Sequence, residues 1–391
     1  MVILKKLRWI MLATVVLGSL LALTPPALAG YVINSDGTVT FSLTAPANTS
    51  TVTVNYSATP SLEVIGSMTK GANNLWSYTT PEVLVPDWYR YYFRVDGMKT
   101  PDPSNPTLLY STNDSGTLWQ FFMVPGPAAD FLATKDVPHG MVSTVWYFSS
   151  VTSSWRSMAV YTPPGYVHDN RKYPVLYLHH GANNDGFQWI WSLRADFILD
   201  NLFAEGKAVP MIVVMPDHSG IGGIPMAVQG DPAQDLYPVK ELLENIIPTI
   251  EQKFRVLPGS RNRAMAGLSL GGWRSFATLL QVPNAFDYYG PFSAGWTSAQ
   301  IATVEQDHRD LLLDIAASQN IKLLWIAMGK DDSLWANAQA TMALFDKYGI
   351  EYTYHETIGA HQPYVWRVNL YDFAQLIFRE HGPQPPHGHH R

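Results

Sequence analysis

The chain has 391 residues, a formal net charge of −6, 47% apolar residues, 15% charged residues and no cysteine. That composition excludes a largely disordered chain and, at this charge balance, a nucleic-acid binder. Without cysteine there is no disulfide, thiolate metal site or thiol nucleophile, so the fold must be held by an apolar core that this length can supply.

Residues 1–29 read as a secretory signal. Lys5, Lys6 and Arg8 precede an apolar run from Trp9 to Leu23, then Pro25, Pro26 and the small residues Ala27 and Ala29. Cleavage after Ala29 removes three basic residues and leaves a mature charge of −9. The expectation is a secreted or periplasmic protein with no stable membrane anchor after cleavage; the alternative is an uncleaved N-terminal anchor.

Residues 30–125 are predicted to be a small all-β sandwich. "TVTFSLTAP", "TVTVNYSA", "LWSYTTP" and "WYRYYFRVDG" alternate apolar with polar residues and are separated by turns rich in Pro, Gly and Asn. Trp76, Trp88, Tyr91 and Tyr92 could line a glycan-facing surface, although alternation also buries about half of such residues in a sandwich core. Residues 126–137 lack a period and are predicted as a linker. A chain beginning near Asp136 is therefore expected to keep hydrolysis of small esters.

Residues 138–382 are predicted to be an α/β domain with a mostly parallel sheet. Strands are expected at "TVWYFSS", "WRSMAVYTP", "YPVLYLHHG", "PMIVVMPD", "RNRAMAG", "IKLLWIAMG" and "EYTYHETIG". Helical spacing lies between them, with a kink expected at Pro248. The tail, residues 383–391, is rich in Pro and His and is expected to be disordered.

The segment "GLSLG" sets Ser269 between a short strand and a helix, the context of a nucleophile elbow. A serine hydroxyl needs a base and an orienting carboxylate. In an α/β-hydrolase fold these follow in the order serine, acid, histidine. "AMGKDD" supplies Asp331 and Asp332, of which Asp332 lies farther into the loop and is favoured; "GAHQPY" supplies His361. The oxyanion donors are expected to be the backbone N–H groups of Leu270 and Ala182, with Gly181 giving the loop its freedom to turn. His180 is expected to hold this loop by hydrogen bonds, His355 to be a packing or surface residue, and His308 to face solvent. Trp189, Trp273, Trp296 and Trp335 are candidate substrate contacts, with core packing as the competing reading. No metal and no cofactor are implied.

The segments "VLYLHHGANND", "AMAGLSLGGW", "IAMGKDD" and "GAHQPYVWR" resemble the bacterial putative-esterase family, also described as esterase D-like. It includes feruloyl and acetyl-xylan esterases of carbohydrate esterase family 1. The resemblance covers residues 135 to 380, and residues 31 to 124 resemble an early-set immunoglobulin-like module related to glycogen-binding modules. It implies an α/β-hydrolase fold with Ser269, Asp332 and His361 as the triad. It also implies an ester substrate, carbohydrate-linked and bearing feruloyl or acetyl groups. An acyltransferase of the mycolyltransferase type and a siderophore esterase are the alternatives it leaves open. One loop departs from the family pattern: "LHHGANN" stands where "LLHGxGG" is usual.

Overall fold

The computed structural model describes residues 30–59, 62–106, 108–111, 117–218, 231–233, 236–318 and 320–379. The expected signal segment and the His-rich tail lie outside the described residues.

Among the described residues the N-terminal part has ten short strands: β1 (Gly30–Ile33), β2 (Val39–Thr44), β3 (Val52–Thr59), β4 (Leu62–Ser67), β5 (Thr69–Lys70), β6 (Leu75–Thr79), β7 (Asp87–Val95), β8 (Met98–Thr100), β9 (Leu108–Ser111) and β10 (Thr117–Val124). One sheet has the order β1-β2-β6-β5, and the other runs β4-β3-β7-β10-β9 with β8 beside β7. Alternation drives the packing. Phe41, Tyr56, Tyr91 and Phe122 point inward and are fully buried, with ring centroids 5.2 to 5.5 Å apart for the Phe41 contacts to Tyr91, Tyr56 and Phe122.

Among the described residues the C-terminal part has eight strands: β11 (Met141–Ser149), β12 (Ser154–Thr162), β13 (Val175–His179), β14 (Ile212–Pro216), β15 (Arg263–Leu268), β16 (Tyr288–Phe292), β17 (Leu323–Gly329) and β18 (Thr353–Thr357). Their order is β11-β12-β14-β13-β15-β16-β17-β18. The pairs β11–β12 and β12–β14 are antiparallel, and the rest are parallel. β13 and β14 are buried at every position, as their continuous apolar runs require when helices cover both faces.

The helices in chain order are α1 (Gln188–Trp191), α2 (Ala195–Ala204), α3 (Leu236–Lys240), α4 (Ile247–Lys253), α5 (Leu270–Gln281), α6 (Ser298–Asp307), α7 (Arg309–Ala317), α8 (Trp335–Tyr348) and α9 (Pro363–Ala374). Val175, Tyr177 and Met265 pack with Trp273 and Phe276 on one face of the sheet. Leu176, Leu178 and Ala266 pack with Ile198 and Phe373 on the other. This is an α/β-hydrolase fold behind a β-rich module. No helix among the described residues is long and apolar enough to cross a membrane.

Three local features differ from the sequence expectation. The expected helix after the oxyanion loop is broken at Arg194, whose φ is +56°, so α2 begins only at Ala195. The expected kink at Pro248 takes the form of a π-helical segment, Glu241–Ile246, immediately before α4. Proline has no N–H to close the ordinary i−4 bond there. β16 has no counterpart in the expectation, because Gly290-Pro291 within it reads as a turn.

Residues 126–137 are no free tether. Pro127–Leu132 forms a 3-10 turn that buries Ala129 and Leu132 against α2. Asn201 Nδ2 donates to Phe131 O and Ala133 O, and Arg194 Nε donates to Leu132 O. The sandwich also touches the α/β domain directly. Arg367 on α9 pairs with Asp87 on β7, and its Nη2 donates to Trp88 O and to Ser192 O. Trp88 is drawn into this interface, with Arg194 stacked 4.4 Å over its ring and its Nε1 donating to Trp191 O. Trp76, Tyr91 and Tyr92 are buried, so the aromatics considered for a glycan face belong to packing instead.

Candidate active site

Ser269 sits in the turn between β15 and α5 with φ +53° and ψ −115°, a region that a side-chain-bearing residue enters at a cost of about 1–3 kcal/mol. The flanking glycines explain how the turn closes. A Cβ on Gly267 would lie 2.6 Å from the carbonyl carbon of Gly271, and one on Gly271 would collide with the carbonyl oxygen of His179. Ser269 N–H donates to Phe292 O and Trp273 N–H donates to Ser269 O, both at 2.9 Å. The hydroxyl is thereby held at the C-terminal end of the parallel strands, where α/β folds place ligands.

The other two expected residues converge on it. Ser269 Oγ and His361 Nε2 are 3.0 Å apart, and His361 Nδ1 lies 3.0 and 3.1 Å from the two oxygens of Asp332. A carboxylate can only accept, so Nδ1 carries the proton and Nε2 accepts from the serine. Asp332 is 4% exposed, whereas Asp331 is exposed and only its backbone is engaged, donating to Gly359 O. A Cβ on Gly329 would press 2.6 Å from Gly359 O, so glycine at that position lets the acid loop and the histidine loop lie against each other.

Burial alone would raise the pKa of Asp332. Hydrogen bonds from His361, from Leu334 N–H and from the Ser293 hydroxyl outweigh it and hold the carboxyl below its usual value. Ser293 is one residue past β16 and itself has φ +49°. It accepts from Trp366 Nε1 at 2.9 Å, and the Trp366 ring meets the His361 ring edge-on with centroids 5.1 Å apart. Ser293 was not legible as a site residue, because the strand that delivers it was not.

The loop after β13, where one oxyanion donor was expected, is braced by three buried histidines. His180 Nδ1 donates to Gly181 O at 2.7 Å, while its Nε2 accepts from His218 N–H at 2.9 Å. Those two bonds fix a neutral ring, and burial with the nearby Arg274 charge pushes its pKa down to about 3. His179 and His218 stack 4.7 Å apart and share a 2.6 Å contact between His179 Nδ1 and His218 Nε2; burial drives both well below the ordinary histidine value. Gly181 N–H is committed to Gln188 Oε1 at 2.9 Å. The backbone N–H of Leu270 opens α5 immediately after the serine, and Ala182 follows Gly181 in the facing loop.

Trp189, Trp273 and Trp296 do not line a cleft. They are 0, 2 and 0% exposed, and the Trp189 indole donates to His179 O, so it supports the loop from beneath. Trp335 is partly buried and packs on Tyr354. His355 stacks on Trp325 and pairs with Asp372 at 3.2 Å. His308, expected at the surface, is mostly covered and bonds Asp231 at 2.5 Å. Among the described residues, no group of three His, Asp or Glu side chains could hold a metal.

A family model described as "Putative esterase" matches residues 149–376. The chain belongs to the putative esterase family. Residues 149–376 are thus the putative esterase domain of that family. This esterase is 32% identical to the endo-1,4-beta-xylanase/feruloyl esterase of Xylanibacter ruminicola over 89% of its own length and 46% of that protein's. The chain spans about half the length of the curated relatives it matches. Among solved structures, the esterase resembles the CE1 ferulic acid esterase of Anaeromyces mucronatus, with a TM-score of 0.54 and 27% identity, covering 64% of this chain and 95% of that one. The enterobactin esterase of Shigella flexneri superimposes over 90% of this chain and 96% of its own with a TM-score of 0.59. At 16% identity that match shows a shared fold alone, here extending through the sandwich.

Proposed function

We propose that this esterase is a secreted serine carboxylesterase that releases feruloyl or acetyl groups from plant polysaccharide through an acyl-enzyme on Ser269. The observation that carries the reading is the continuous hydrogen-bond line from Ser269 Oγ through His361 to Asp332. Ser269 attacks the ester carbonyl as His361 Nε2 takes its proton. Asp332 holds the ring in the required tautomer and stabilises the imidazolium. The N–H groups of Leu270 and Ala182 receive the developing oxyanion. His361 then returns the proton to the leaving alcohol. Water, deprotonated by the same nitrogen, attacks the acyl-enzyme and frees the acid.

The substrate class is supported by the printed activities of relatives: feruloyl esterase joined to xylanase in one, ferulic acid esterase in another. Secretion is supported by the character of residues 1–29. The test is a comparison of kcat/KM across methyl ferulate, acetylated xylan and p-nitrophenyl esters, with Ser269→Ala as control. A preference for methyl ferulate or acetylated xylan that vanishes in the variant sustains the reading. Wild-type turnover in Ser269→Ala, or activity confined to simple aryl esters, ends it.

A further inference from the structure

The β11–β12 hairpin carries an aromatic face that is exposed among the described residues. β11 is an edge strand, and its register sets Phe148 opposite Trp155 and Trp146 opposite Ser157. Side chains two apart on a strand share a face, so Trp146, Phe148 and Trp155 project together. They are 60, 54 and 67% exposed, and the Phe148 and Trp155 ring centroids are 5.9 Å apart. The reverse face is anchored. Val145 and Tyr147 are core residues, Ser149 Oγ donates to Glu241 at 2.6 Å, Ser150 N–H donates to Asn245 at 3.0 Å, and Arg156 donates to Asp217 O at 2.5 Å. Three large rings are therefore held toward water on a fixed backbone that cannot turn them inward. A clustered apolar surface of this kind marks a binding site more often than chance exposure does.

The register also locates the face. Met158 of β12 pairs with Pro216, the last residue of β14, so residues 154–157 overhang the C-terminal end of that strand. β13 and β15 pair His179 with Gly267, two residues before Ser269. The overhang and the nucleophile thus share one rim of the sheet. β12 lies three strand spacings from β15 and β11 lies four, a lateral separation of roughly 14–19 Å between those strands and the one that leads to Ser269, at ~4.8 Å per spacing.

The chemistry of the face selects its occupant. Ser157 stands opposite Trp146 and Thr144 flanks it on the same face, and none of these five residues is charged. Indole and phenyl faces beside neutral hydroxyls fit sugar rings, which present C–H faces edged by hydroxyls. A second copy of the chain fits less well. Three rings of about 150–250 Å² each, exposed to the degree seen, offer roughly 400 Å², half of the ~800 Å² per partner that a stable interface needs.

We propose that Trp146, Phe148 and Trp155 form a binding face for the main chain of the neutral polysaccharide whose ester is presented to Ser269. This rests on the polysaccharide-esterase reading above for the identity of the polymer.

The test uses the full chain and the double variant Trp146→Ala/Trp155→Ala, with Trp155→Tyr as a ring-preserving control. Migration in native gels containing neutral arabinoxylan is compared with migration in gels containing anionic polygalacturonate, and the mass in solution is measured alongside. The wild type should be retarded by arabinoxylan only. The double variant should bind it about tenfold more weakly and lose about tenfold in kcat/KM on feruloylated arabinoxylan, with methyl ferulate within about twofold and the tyrosine variant close to wild type. Equal retardation of wild type and double variant overturns the proposal. So does an equal loss on both substrates, which would make the face structural. A wild-type dimer that the double variant abolishes assigns the face to a second copy instead. Gel retardation needs no catalysis, so inactivity toward feruloyl or acetyl esters would end the functional reading without deciding this one.

Discussion

Arg367 and Asp87 form an ion pair across the boundary between the sandwich and the α/β domain, and both side chains are 97% buried. Arg367 stands six residues after His361 on the helix that the histidine loop feeds, next to Trp366, which bonds Ser293. The sandwich is thereby fastened to the helix that follows the loop bearing His361.

Removing Asp87 leaves a buried guanidinium without its counter-charge, which costs about 3–5 kcal/mol. Asp87→Ala should lower the urea midpoint accordingly and reduce kcat on a small ester more than it alters KM. A change below about 1 kcal/mol would show the pair to be dispensable. A chain beginning at Asp136 loses this pair together with Leu132 and Ala129. Contrary to the expectation from sequence, it should be markedly less stable and poorly active even on small esters.

The Ser269–His361–Asp332 geometry ranks three substitutions. Ser269→Ala should cost about 10⁴-fold or more in kcat, because nucleophile and base act as a unit. Asp332→Asn should be nearly as severe, since the amide cannot hold the Nδ1 proton in the same way. Asp331→Asn should leave the rate within about threefold, its side chain being exposed and away from His361. Rate assays on the three purified proteins decide the order, and reversal of the two aspartates would displace Asp332.

Ser293→Ala should slow turnover about tenfold while leaving KM near the wild-type value. It removes one hydrogen bond that keeps Asp332 ionised and leaves the buried Trp366 indole without its acceptor. The accompanying loss of stability should be about 1–3 kcal/mol. Ser293→Thr, which keeps the hydroxyl, tests whether the oxygen is what counts; a threonine as slow as alanine would point to shape alone.

The histidine stack predicts acid sensitivity. A histidine ordinarily titrates near 6.5. His180 is held at about 3, so at any pH between these values the unfolded chain binds a proton that the folded chain does not. Stability should therefore fall as pH drops from about 6.5 toward 3, by about 2 kcal/mol for this ring at pH 5. His179 and His218 are displaced in the same direction and add to the loss. Urea denaturation at pH 7 and pH 5 measures it; an unchanged midpoint would mean that the rings are not kept neutral.

The convergence of Ser269, Asp332 and His361 was readable in sequence because each lies in a loop announced by a strong local signal. Ser269 has glycines two before and two after, Asp332 follows an apolar strand, and His361 follows a glycine turn. β16 was hidden because glycine and proline inside a buried parallel strand look like a turn, and Ser293 was hidden with it. The tryptophans misled for a related reason. An indole can wall a cleft or fill a core, and only the tertiary environment showed that Trp189, Trp273 and Trp296 fill it. Arg367 and Asp87 are separated by most of the chain, so nothing local connects them. Ala129 and Leu132 sit in a segment too short and irregular to show a period.

The elbow at Ser269 also sets a limit on how robust this protein can become. Glycine accepts a positive φ without strain, so Ser269→Gly should gain folding stability where most substitutions lose it. The same exchange deletes the oxygen proposed to attack the ester. Selection for heat tolerance and selection for turnover therefore pull in opposite directions at this one residue. A hardened variant has to find its extra stability elsewhere in the fold.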